Sequence, residues 1–419
     1  MAEKNKTEEY DVIVIGGGAS GMMAAGMASR DGKRVLLVEK NRELGKKLKI
    51  TGGGRCNITN ATYNTKELLF KFGKAEPFLY SPFSQFGVKD TFKFFETKRL
   101  PLVIEEKNRV FPKSQKAMDV FDVLYKFITQ KEVTIMLTNP VSKINMDPSK
   151  KKITSIETRK GIFSAKNYIL ATGGTSHPET GSTGDGFKWL KELGHTANDP
   201  TPTIVPLKVS DGWVKKLSGK SVKDMKITFY INNKKAFSDK GNILFTHFGI
   251  SGPTILNLAH KVTDLLHEGA VTAVVDFYPN LDIGSLDKKI LATFDANKNK
   301  LFKNILKDIV PEGMTDLIIN SGIVPDPSTP VHLVSKIQRR QIVDLLKGKS
   351  MTITGLMGMD RAVISDGGIP LEEVDTRTMK SRFIKNLYFT GDILHINRPS
   401  GGYSLQLCWT TAYVAGKLK

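Results

Sequence analysis

The chain has 419 residues, more than one ordinary domain holds, so we expect two or three domains. Hydrophobic residues make up 40% and charged residues 25%, which argues against a disordered chain, and no apolar run approaches the roughly 18–20 residues of a membrane span. The formal net charge is +20, and residues 205–240 alone hold nine lysines against three aspartates. Such a surface attracts nucleic acid or anionic lipid, although no RNA-binding motif accompanies it and a solvated lysine-rich face is the simpler interpretation.

The N-terminal part of the chain predicts a βαβ unit. The polar start, MAEKNKTEEY, lacks the apolar stretch of a secretory signal, and two cysteines form no disulfide framework, so we expect a reducing cytoplasm. DVIVIG is a short apolar run typical of a strand buried on both faces, ASGMMAAGMASR is compatible with a helix, and RVLLVEK predicts a second buried strand. A parallel sheet follows from this order.

The later segments change character several times along the chain. Residues 66–98 are mainly helical, and within 131–171 the runs VTIML, KITSIET and NYILATGG predict a small β-meander that returns to the main sheet. Residues 203–280 contain the strand-like runs TIVPLKV, KITFYINN and AVTAVVDFYP and one helical run, PTILNLAHKVTDLL. Residues 285–349 are helical, and after residue 350 NLYFTGDIL predicts a strand and SLQLCWTTAYVAGKL a final helix.

These elements predict an α/β fold with a Rossmann-type nucleotide-binding domain in two segments, 1–194 and 351–419. The insertion between the two segments divides into a β-rich domain at 195–284 and a helical domain at 285–350. No internal repeat or low-complexity tract interrupts this organisation.

The first motif is Gly16-x-Gly18-x-x-Gly21, which follows the first strand and opens the helix. Gly16 permits the tight turn, Gly18 lets backbone amides approach a pyrophosphate, and Gly21 allows close packing of helix on strand. Glu39, at the end of the second strand, is placed to accept hydrogen bonds from adenosine ribose hydroxyls. This unit predicts a dinucleotide site but does not separate FAD from NAD.

The last segment favours FAD. Gly391-Asp392 comes directly after a short strand, where an aspartate commonly binds the ribityl and pyrophosphate portion of FAD. A glycine turn then launches the final helix, and its N-terminus, at Gly402 to Gln406, is placed to stabilise negative charge at the flavin N1–C2=O edge.

Two further glycine-rich segments complete the predicted FAD site. In GKKLKITGGGRCN, three consecutive glycines beside basic residues indicate a backbone cradle for the pyrophosphate and the flavin ring. We interpret Cys56 there as a thiol packed near the flavin, with a catalytic disulfide to Cys408 as the alternative. ATGG ends a strand, GSTGDG opens the next helix, and Val141 is placed to contact adenine through its backbone. Together these motifs predict the cofactor-binding residues Gly16, Gly18, Ala19, Ser20, Gly21, Glu39, Lys40, Lys47, Thr51, Gly53, Gly54, Arg55, Cys56, Asn57, Val141, Ala171, Thr172, Gly173, Gly391, Asp392, Gly402, Ser404, Leu405 and Gln406.

The motifs GGGASG, GKKLKITGGGRCNITN, RVFP, ATGG, GSTGDG, FTHFGISGP and GGYSLQLC resemble those of the bacterial BaiN/aminoacetone-oxidase-type, or YhiN-like, flavoproteins. The resemblance covers nearly the whole chain and implies FAD, three domains and oxidoreductase activity, but it fixes no substrate. This chain has GDILHINRPSGGYS where the family usually has an acidic GE-L-D-x-D/GGYN pattern. At His395, Asn397 and Ser404 this chain therefore departs from the family pattern, so the family does not predict the flavin or substrate environment there.

Two side chains are candidates for the chemistry. His247 lies in FTHFGISGP, before a helix start at Ser251–Pro253, and could serve as proton donor or substrate clamp; a hydrogen-bonded loop histidine is the alternative. Arg109, in NRVFPKS, is a candidate for binding a substrate carboxylate or enolate, with a surface salt bridge as the alternative. We find no metal-ligand cluster.

The sequence therefore predicts an FAD-dependent oxidoreductase that transfers a hydride between the flavin and a small organic substrate. No second glycine-rich βαβ unit is present, so NADH or NADPH would act only as a transient reductant, and oxygen is the other possible electron partner. One alternative is a tRNA-acting flavoprotein that holds nucleic acid on the basic insertion. Another is a flavin-binding regulatory protein without catalysis.

Overall fold

A computed structural model describes residues 8–419 and shows two compact units. The first unit comprises the chain up to Pro202 together with Val363–Lys419, and the second comprises Thr203–Ala362. The first seven residues belong to the polar start discussed above and lie outside the described residues. Among the described helices, none has the length and apolar character needed to cross a bilayer.

The first segment of the first unit carries most of its secondary structure. Its strands are β1 (Glu8–Ile15), β2 (Val35–Val38), β3 (Thr59–Asn60), β4 (Leu102–Glu105), β5 (Arg109–Pro112), β6 (Val133–Met136), β7 (Val141–Met146), β8 (Ile153–Thr158) and β9 (Gly161–Leu170). Its helices are α1 (Ala19–Ala28), α2 (Lys46–Ile50), α3 (Thr65–Phe70), α4 (Glu76–Gln85), α5 (Val88–Glu96), α6 (Ala117–Thr129) and α7 (Asp185–Glu192).

The second unit follows in the chain, and the first unit then resumes. The strands of the second unit are β10 (Leu207–Val209), β11 (Ser221–Ile231), β12 (Lys234–Thr246), β13 (Gly249–Ser251), β14 (Val271–Asp276) and β15 (Lys349–Leu356). Its helices are α8 (Gly212–Lys216), α9 (Pro253–Glu268), α10 (Ile283–Ala296), α11 (Phe302–Ile309), α12 (Thr315–Ile319) and α13 (Lys336–Lys347). The first unit ends with β16 (Leu387–Phe389) and α14 (Tyr403–Gly416).

The main sheet of the first unit has the strand order β6-β2-β1-β9-β8-β7, and β16 also pairs with β9. Strands β6, β2, β1, β9 and β16 are parallel, while β7, β8 and β9 form an antiparallel meander. Val12, Ile13 and Val14 of β1 have no exposed surface, as expected for a central parallel strand covered on both faces. The α/β fold with a Rossmann-type sheet is therefore confirmed.

One detail of the predicted meander is wrong. VTIML forms β6, which pairs in parallel with β2 in the main sheet, and the run that completes the meander is VSKINM, in β7. Both runs are short and apolar on one side, so their pattern does not distinguish a parallel from an antiparallel neighbour.

Helix α1 is buried on nearly all sides because its small residues let other elements approach closely. A Cβ added at Gly26 would lie 2.4 Å from the Phe127 ring of α6, and one at Gly416 of α14 would lie 2.6 Å from Cβ of Met27. This close packing fixes the C-terminal half of α1 against α6 and α14.

The second unit is built on a closed barrel, β10-β13-β12-β11-β14-β15. Its helices share one buried core with the barrel, to which Val271, Leu286 and Leu306 contribute. Strand β15 closes the barrel by pairing with both β14 and β10. The second unit therefore includes β15 and continues to Ala362. The division of the insertion at 284/285 into a β-rich and a helical domain stays a prediction.

Candidate functional site

A cleft opens where several parallel strands of the first unit end. Gly16 follows β1, Glu39 follows β2 and Ala171 follows β9, so the carboxyl ends of neighbouring strands converge on the same place. The cleft encloses about 1090 Å³, part of it open to solvent. The crevice outside the carboxyl ends of such strands is where open α/β sheets bind ligands.

The glycine turn after β1 forms the floor of the cleft. Gly16 has φ +106°, and a Cβ there would lie 2.5 Å from the carbonyl oxygen of Ala171. Gly18 differs, because a Cβ there would meet nothing within 4 Å. No side chain caps the N-terminus of α1. The open space at Gly18 therefore faces a helix end that favours a bound anion.

Glu39 lies beside this turn and is 8% exposed. Its carboxylate accepts the backbone N–H groups of Gly17, at 2.7 Å, and Asn41, at 2.8 Å. Each carboxylate oxygen has a second lone pair, so Glu39 can also accept hydrogen bonds from a diol in the cleft.

Residues 176–185 are called the strap below, and Thr180, Gly181, Ser182, Thr183 and Asp185 of the strap line the cleft. Side chains from residues 40–47 hold the strap. Lys40 Nζ contacts Thr183 Oγ1 and Asp185 Oδ2, the latter at 2.6 Å. Asn41 Nδ2 donates to the Thr180 carbonyl at 3.0 Å, and Lys47 Nζ donates to Ser176 Oγ at 3.2 Å. The strap is thus fastened to the segment that follows β2.

A different set of groups forms the end of the cleft near α14. Asp392, Ser404, Leu405 and Cys408 line it together with Lys47. Burial lowers the pKa of Lys47, which Asp392 partly offsets, and burial raises the pKa of the Cys408 thiol to about 12. Cys408 is therefore an unreactive thiol at neutral pH.

The structure brings most of the predicted cofactor residues together in this cleft. Those in its wall are Gly16, Gly18, Ala19, Ser20, Glu39, Lys40, Lys47, Thr51, Val141, Ala171, Thr172, Gly173, Asp392, Ser404 and Leu405. Those outside its wall are Gly21, Gly53, Gly54, Arg55, Cys56, Asn57, Gly391, Gly402 and Gln406.

The GGGRCN segment accounts for most of the residues outside the wall. The guanidinium of Arg55 turns to Glu105 and to Gln115, with Nε 2.6 Å from Gln115 Oε1. Cys56 is fully buried, and burial raises its pKa to about 12. Asn57 Oδ1 accepts the backbone N–H of Val110 at 3.3 Å. These side chains hold the segment in place, and Cys56 and Cys408 are free thiols.

The remaining residues outside the wall support it from behind. A Cβ at Gly21 would lie 1.8 Å from the Gly16 carbonyl oxygen, and one at Gly402 would lie 2.2 Å from the Thr59 carbonyl oxygen. Gln406 accepts the hydroxyl of Thr59 and donates to Thr410. Gly391 has φ +74° and donates its N–H to Thr411 Oγ1.

Several wall residues were not assigned from the sequence. They are Ile15, Gly17, Val38, Asn41, Gly45, Lys46, Leu48, Asn139, Pro140, Thr180, Gly181, Ser182, Thr183, Asp185, Trp189 and Cys408. GSTGDG was recognised as a motif, and its position before a helix was the available signal for the strap. Trp189 and Asn139 carry no local signal because only the tertiary fold brings them to the cleft.

Neither of the two candidate catalytic side chains is among the residues that line the cleft. His247 is exposed in the turn between β12 and β13 of the second unit, with its ring 4.9 Å from that of Phe248. Arg109 begins β5 and donates through Nε to the Glu106 carbonyl at 3.1 Å. Arg109 is not in the cleft wall, and its guanidinium lies 5.8 Å from the Phe111 ring. The proposed roles of both residues stay predictions.

A second polar cluster in the first unit has the hydrogen-bond arrangement of an acid–His–Ser hydrolase triad. His195 Nδ1 lies 2.6 Å from Glu373 Oε2, and His195 Nε2 lies 2.9 Å from Ser381 Oγ. Ser381 is 6% exposed, and its Oγ already accepts the N–H groups of Phe383 and Ile384. No room is left for a substrate carbonyl at this oxygen, so the cluster stabilises the fold.

The His195 cluster predicts an acid-sensitive stability. Burial lowers the pKa of His195 despite the opposing effect of Glu373, so the folded protein holds this ring neutral. The unfolded chain binds a proton near pH 6.5, so the stability from His195 is present above that pH and is lost as pH falls below it. Burial acts to raise the pKa of Glu373, but hydrogen bonds from Thr196 and His195 outweigh this effect and lower the pKa. Protonation of Glu373 therefore causes a further loss of stability as the pH falls, at a more acidic pH than the loss from His195.

We expect His195→Gln to cost about 1–3 kcal/mol at pH 7, because a buried hydrogen-bonding partner is removed. Calorimetric Tm values from pH 7 to pH 5 should then fall less steeply in the variant than in the parent. His267→Gln, at an exposed position of α9, is the matched control and should keep the parent's slope. Equal slopes in parent and His195→Gln would contradict the prediction.

Comparison with known proteins places the chain in one family. The family model "HI0933-like protein Rossmann domain" matches residues 10–418. A 3-dehydro-bile acid delta(4,6)-reductase of Clostridium scindens is 29% identical over 410 residues, covering 96% of this chain and 97% of the relative. A ribosomal RNA dihydrouridine synthase of Haemophilus influenzae is 26% identical over 404 residues, covering 96% of each chain.

A solved structure of similar fold is the 3-ketosteroid delta1-dehydrogenase from Sterolibacterium denitrificans, with a TM-score of 0.55. It is 14% identical, and the match covers 98% of this chain and 99% of that one. This likeness concerns the fold, and the family model spans nearly every residue described above. The chain therefore belongs to the HI0933-like Rossmann family.

Proposed function

We propose that this protein is an FAD-dependent oxidoreductase that transfers a hydride between the flavin and a small organic substrate. The observation that carries the proposal is the cleft itself. It joins a glycine turn at a helix N-terminus to a buried carboxylate at the end of the next parallel strand, Glu39. That pair fits the pyrophosphate and the adenosine ribose of a dinucleotide.

A further feature of the cleft fits the cofactor. The wall continues past the glycine turn to Asp392, Ser404 and Leu405, well beyond what the adenosine half needs. In this proposal Glu39 binds the ribose, Gly18 and α1 the pyrophosphate, and the α14 end the flavin.

The bound flavin supplies hydride transfer at its N5 atom, and the chain supplies binding, orientation and charge. The N-terminus of α14 and the basic groups of Lys47 and Arg398 give the α14 end a positive potential, which stabilises negative charge. The strap covers the adenosine side and keeps water from it. His247 is proposed as a proton donor or substrate clamp, and Arg109 as a group that binds a carboxylate or enolate.

The names of the relatives suggest a substrate class. A delta(4,6)-reductase and a dihydrouridine synthase both saturate carbon–carbon double bonds that are conjugated to a carbonyl group. We therefore propose a conjugated enone or a similar small molecule as substrate. NADH or NADPH is the proposed transient reductant. Because Cys56 and Cys408 are free thiols, we also propose a reducing cytoplasmic setting.

Ribosomal RNA is the second candidate substrate. Two relatives, 26% and 24% identical, are named ribosomal RNA dihydrouridine synthases. The second unit also exposes Lys215, Lys216, Lys220 and Lys223 near one another in the chain. Lysines of this kind neutralise phosphates, and the resulting affinity falls steeply with salt.

The proposal is tested by anaerobic stopped-flow reduction of the purified protein with NADH and NADPH, followed by mixing with an enone panel or with rRNA. We expect the flavin absorbance to bleach and then to return with one substrate class. Return with rRNA alone, together with salt-sensitive RNA binding, would favour the second candidate. A flavin that no reductant bleaches would support a non-catalytic role, and a protein that binds no FAD would overturn the proposal.

The strap gives a prediction about cofactor release. Lys40→Met removes the contacts from Lys40 to Thr183 and Asp185. Because the pair is partly exposed, we expect a loss of up to about 1 kcal/mol and a rate of FAD release about two to five times higher. Release is followed by the recovery of FAD fluorescence on dilution.

Lys49→Met is the matched control for this measurement. Lys49 pairs with Glu43, at 2.5 Å, in the same part of the chain and does not contact the strap. Its variant should release FAD at the parent's rate. If both variants release FAD equally fast, the strap contacts do not retain the cofactor.

A further inference from the structure

A buried arginine of the GDILHINRPSGGYS segment lies behind the α14 end of the cleft and was not among the predicted cofactor-binding residues. The side chain of Arg398 is 1% exposed. Its Nη2 pairs with Asp392 Oδ1, its Nη1 donates to the Ile396 carbonyl at 2.7 Å, and its Nε donates to Ser404 Oγ at 3.1 Å. Asp392 and Ser404 line the cleft, so Arg398 fixes two of its wall residues from behind.

Two acidic and two basic groups act on this end of the cleft. Asp392 and Glu179 are opposed by Arg398 and Lys47, so their formal charges balance only while Asp392 is paired with Arg398. Gly402, the N-cap of α14, offers no side-chain acceptor, so the positive end of the helix dipole makes this end of the cleft positive. Because the guanidinium is buried, solvent screens it weakly.

We propose that Arg398 is a positioning residue that neutralises Asp392 and so gives the flavin end of the cleft the positive potential that favours the reduced cofactor, an inference that rests on the proposed function. Two-electron reduction adds negative charge to the bound cofactor. A net positive wall stabilises that charge, whereas an unpaired Asp392 carboxylate destabilises it. The Asp392–Arg398 pair therefore sets the midpoint potential of the bound flavin.

The test compares the midpoint potentials of the FAD-loaded parent and its variants by equilibration with reference dyes. Arg398→Met leaves Asp392 unpaired, and we expect the two-electron equilibrium to shift at least tenfold toward the oxidised form, about 30 mV more negative. Asp392→Asn leaves Arg398 unpaired, and we expect a shift of similar size in the opposite direction. The double variant should return toward the parent.

Two further variants make the test specific. Arg398→Lys keeps the charge and should restore most of the potential lost in Arg398→Met. Lys166→Met, which breaks the exposed pair of Lys166 with Asp11, is the control and should keep the parent's potential. If Arg398→Met fails to fold, the rise expected in Asp392→Asn carries the test, because Asn keeps the shape of the side chain.

The outcomes separate this inference from the proposed function. Opposite shifts in the two single variants support it. Unchanged potentials, or shifts of the same sign in both, overturn it and leave Arg398 with a structural role only, while the parent still binds and reduces FAD. If the parent itself binds no FAD, the proposed function fails.

Discussion

Gly18→Ala is expected to fold like the parent and to lose its FAD. Gly18 has φ −76°, which alanine adopts readily, and its added Cβ would meet no protein atom within 4 Å. The same Cβ would stand in the open space at the N-terminus of α1, where we place the pyrophosphate. We expect FAD affinity to fall at least about 100-fold, near 2.7 kcal/mol, since the phosphates must move away from their N–H donors.

The measurement needs two readouts from the same preparation. The Tm of the apoprotein should stay within a degree or two of the parent, while titration with FAD, followed by flavin fluorescence, should show the loss of affinity. Gly212→Ala is the matched control, because a Cβ there also meets nothing within 4 Å, but Gly212 is not in the cleft wall. Parent-like affinity in Gly18→Ala would place the cofactor elsewhere.

Gly21→Ala is expected to destabilise the protein whether or not FAD is present. Alanine in a helix interior is favoured over glycine by about 1 kcal/mol, which alone would stabilise α1. At Gly21, however, the new Cβ would lie 1.8 Å from the Gly16 carbonyl oxygen and 2.9 Å from its carbon. These are backbone atoms at the end of β1, a strand paired on both sides, so they cannot yield locally. We expect a net loss above about 3 kcal/mol.

Denaturant unfolding of the apoproteins measures this loss. Gly26→Ala is the graded comparison: it lies in the same helix, but its added Cβ would meet the Phe127 ring at 2.4 Å rather than backbone. A ring can tilt within the core, so Gly26→Ala should cost less. If Gly21→Ala matched the parent's stability, α1 could move away from the end of β1 without cost, and the close contact of Gly21 with Gly16 would not contribute to stability.

The sequence revealed those parts of the fold that depend on local chemistry. The glycine turn and β1 were recognisable because buried parallel strands are continuously apolar and the turn requires glycine. Strand β12 was missed because six of its first seven residues are exposed, and KKAFSDKG carries little hydrophobic pattern. Its antiparallel pairing with β11 supplies the order that its own residues do not.

The residues of the candidate site were also only partly predictable from local sequence. Helix α14 was predicted to reach the cleft, but its periodicity did not reveal which face does so. Ser404, Leu405 and Cys408 line the cleft, while Gln406 lies between them in the chain and points to Thr59 and Thr410 instead. The approach of β3 and α5 to this helix, through Thr59 and Thr91, decides the orientation. The strap was likewise visible as a motif, but its partner Lys40 lies 143 residues before Thr183 in the chain.

The pairing of strands at the two ends of the second unit bears on how this architecture arose. Strands β10 and β15, its first and last strands, pair with each other, at Leu207 with Leu356. In the first unit, Pro202 and Ser365 form an antiparallel bridge at the points where the chain leaves and re-enters. Both units thus have adjacent termini at the junction, which is the arrangement in which domain insertion is tolerated. A single recombination event at these two points can therefore exchange the barrel unit for another one while each unit keeps its own hydrophobic core.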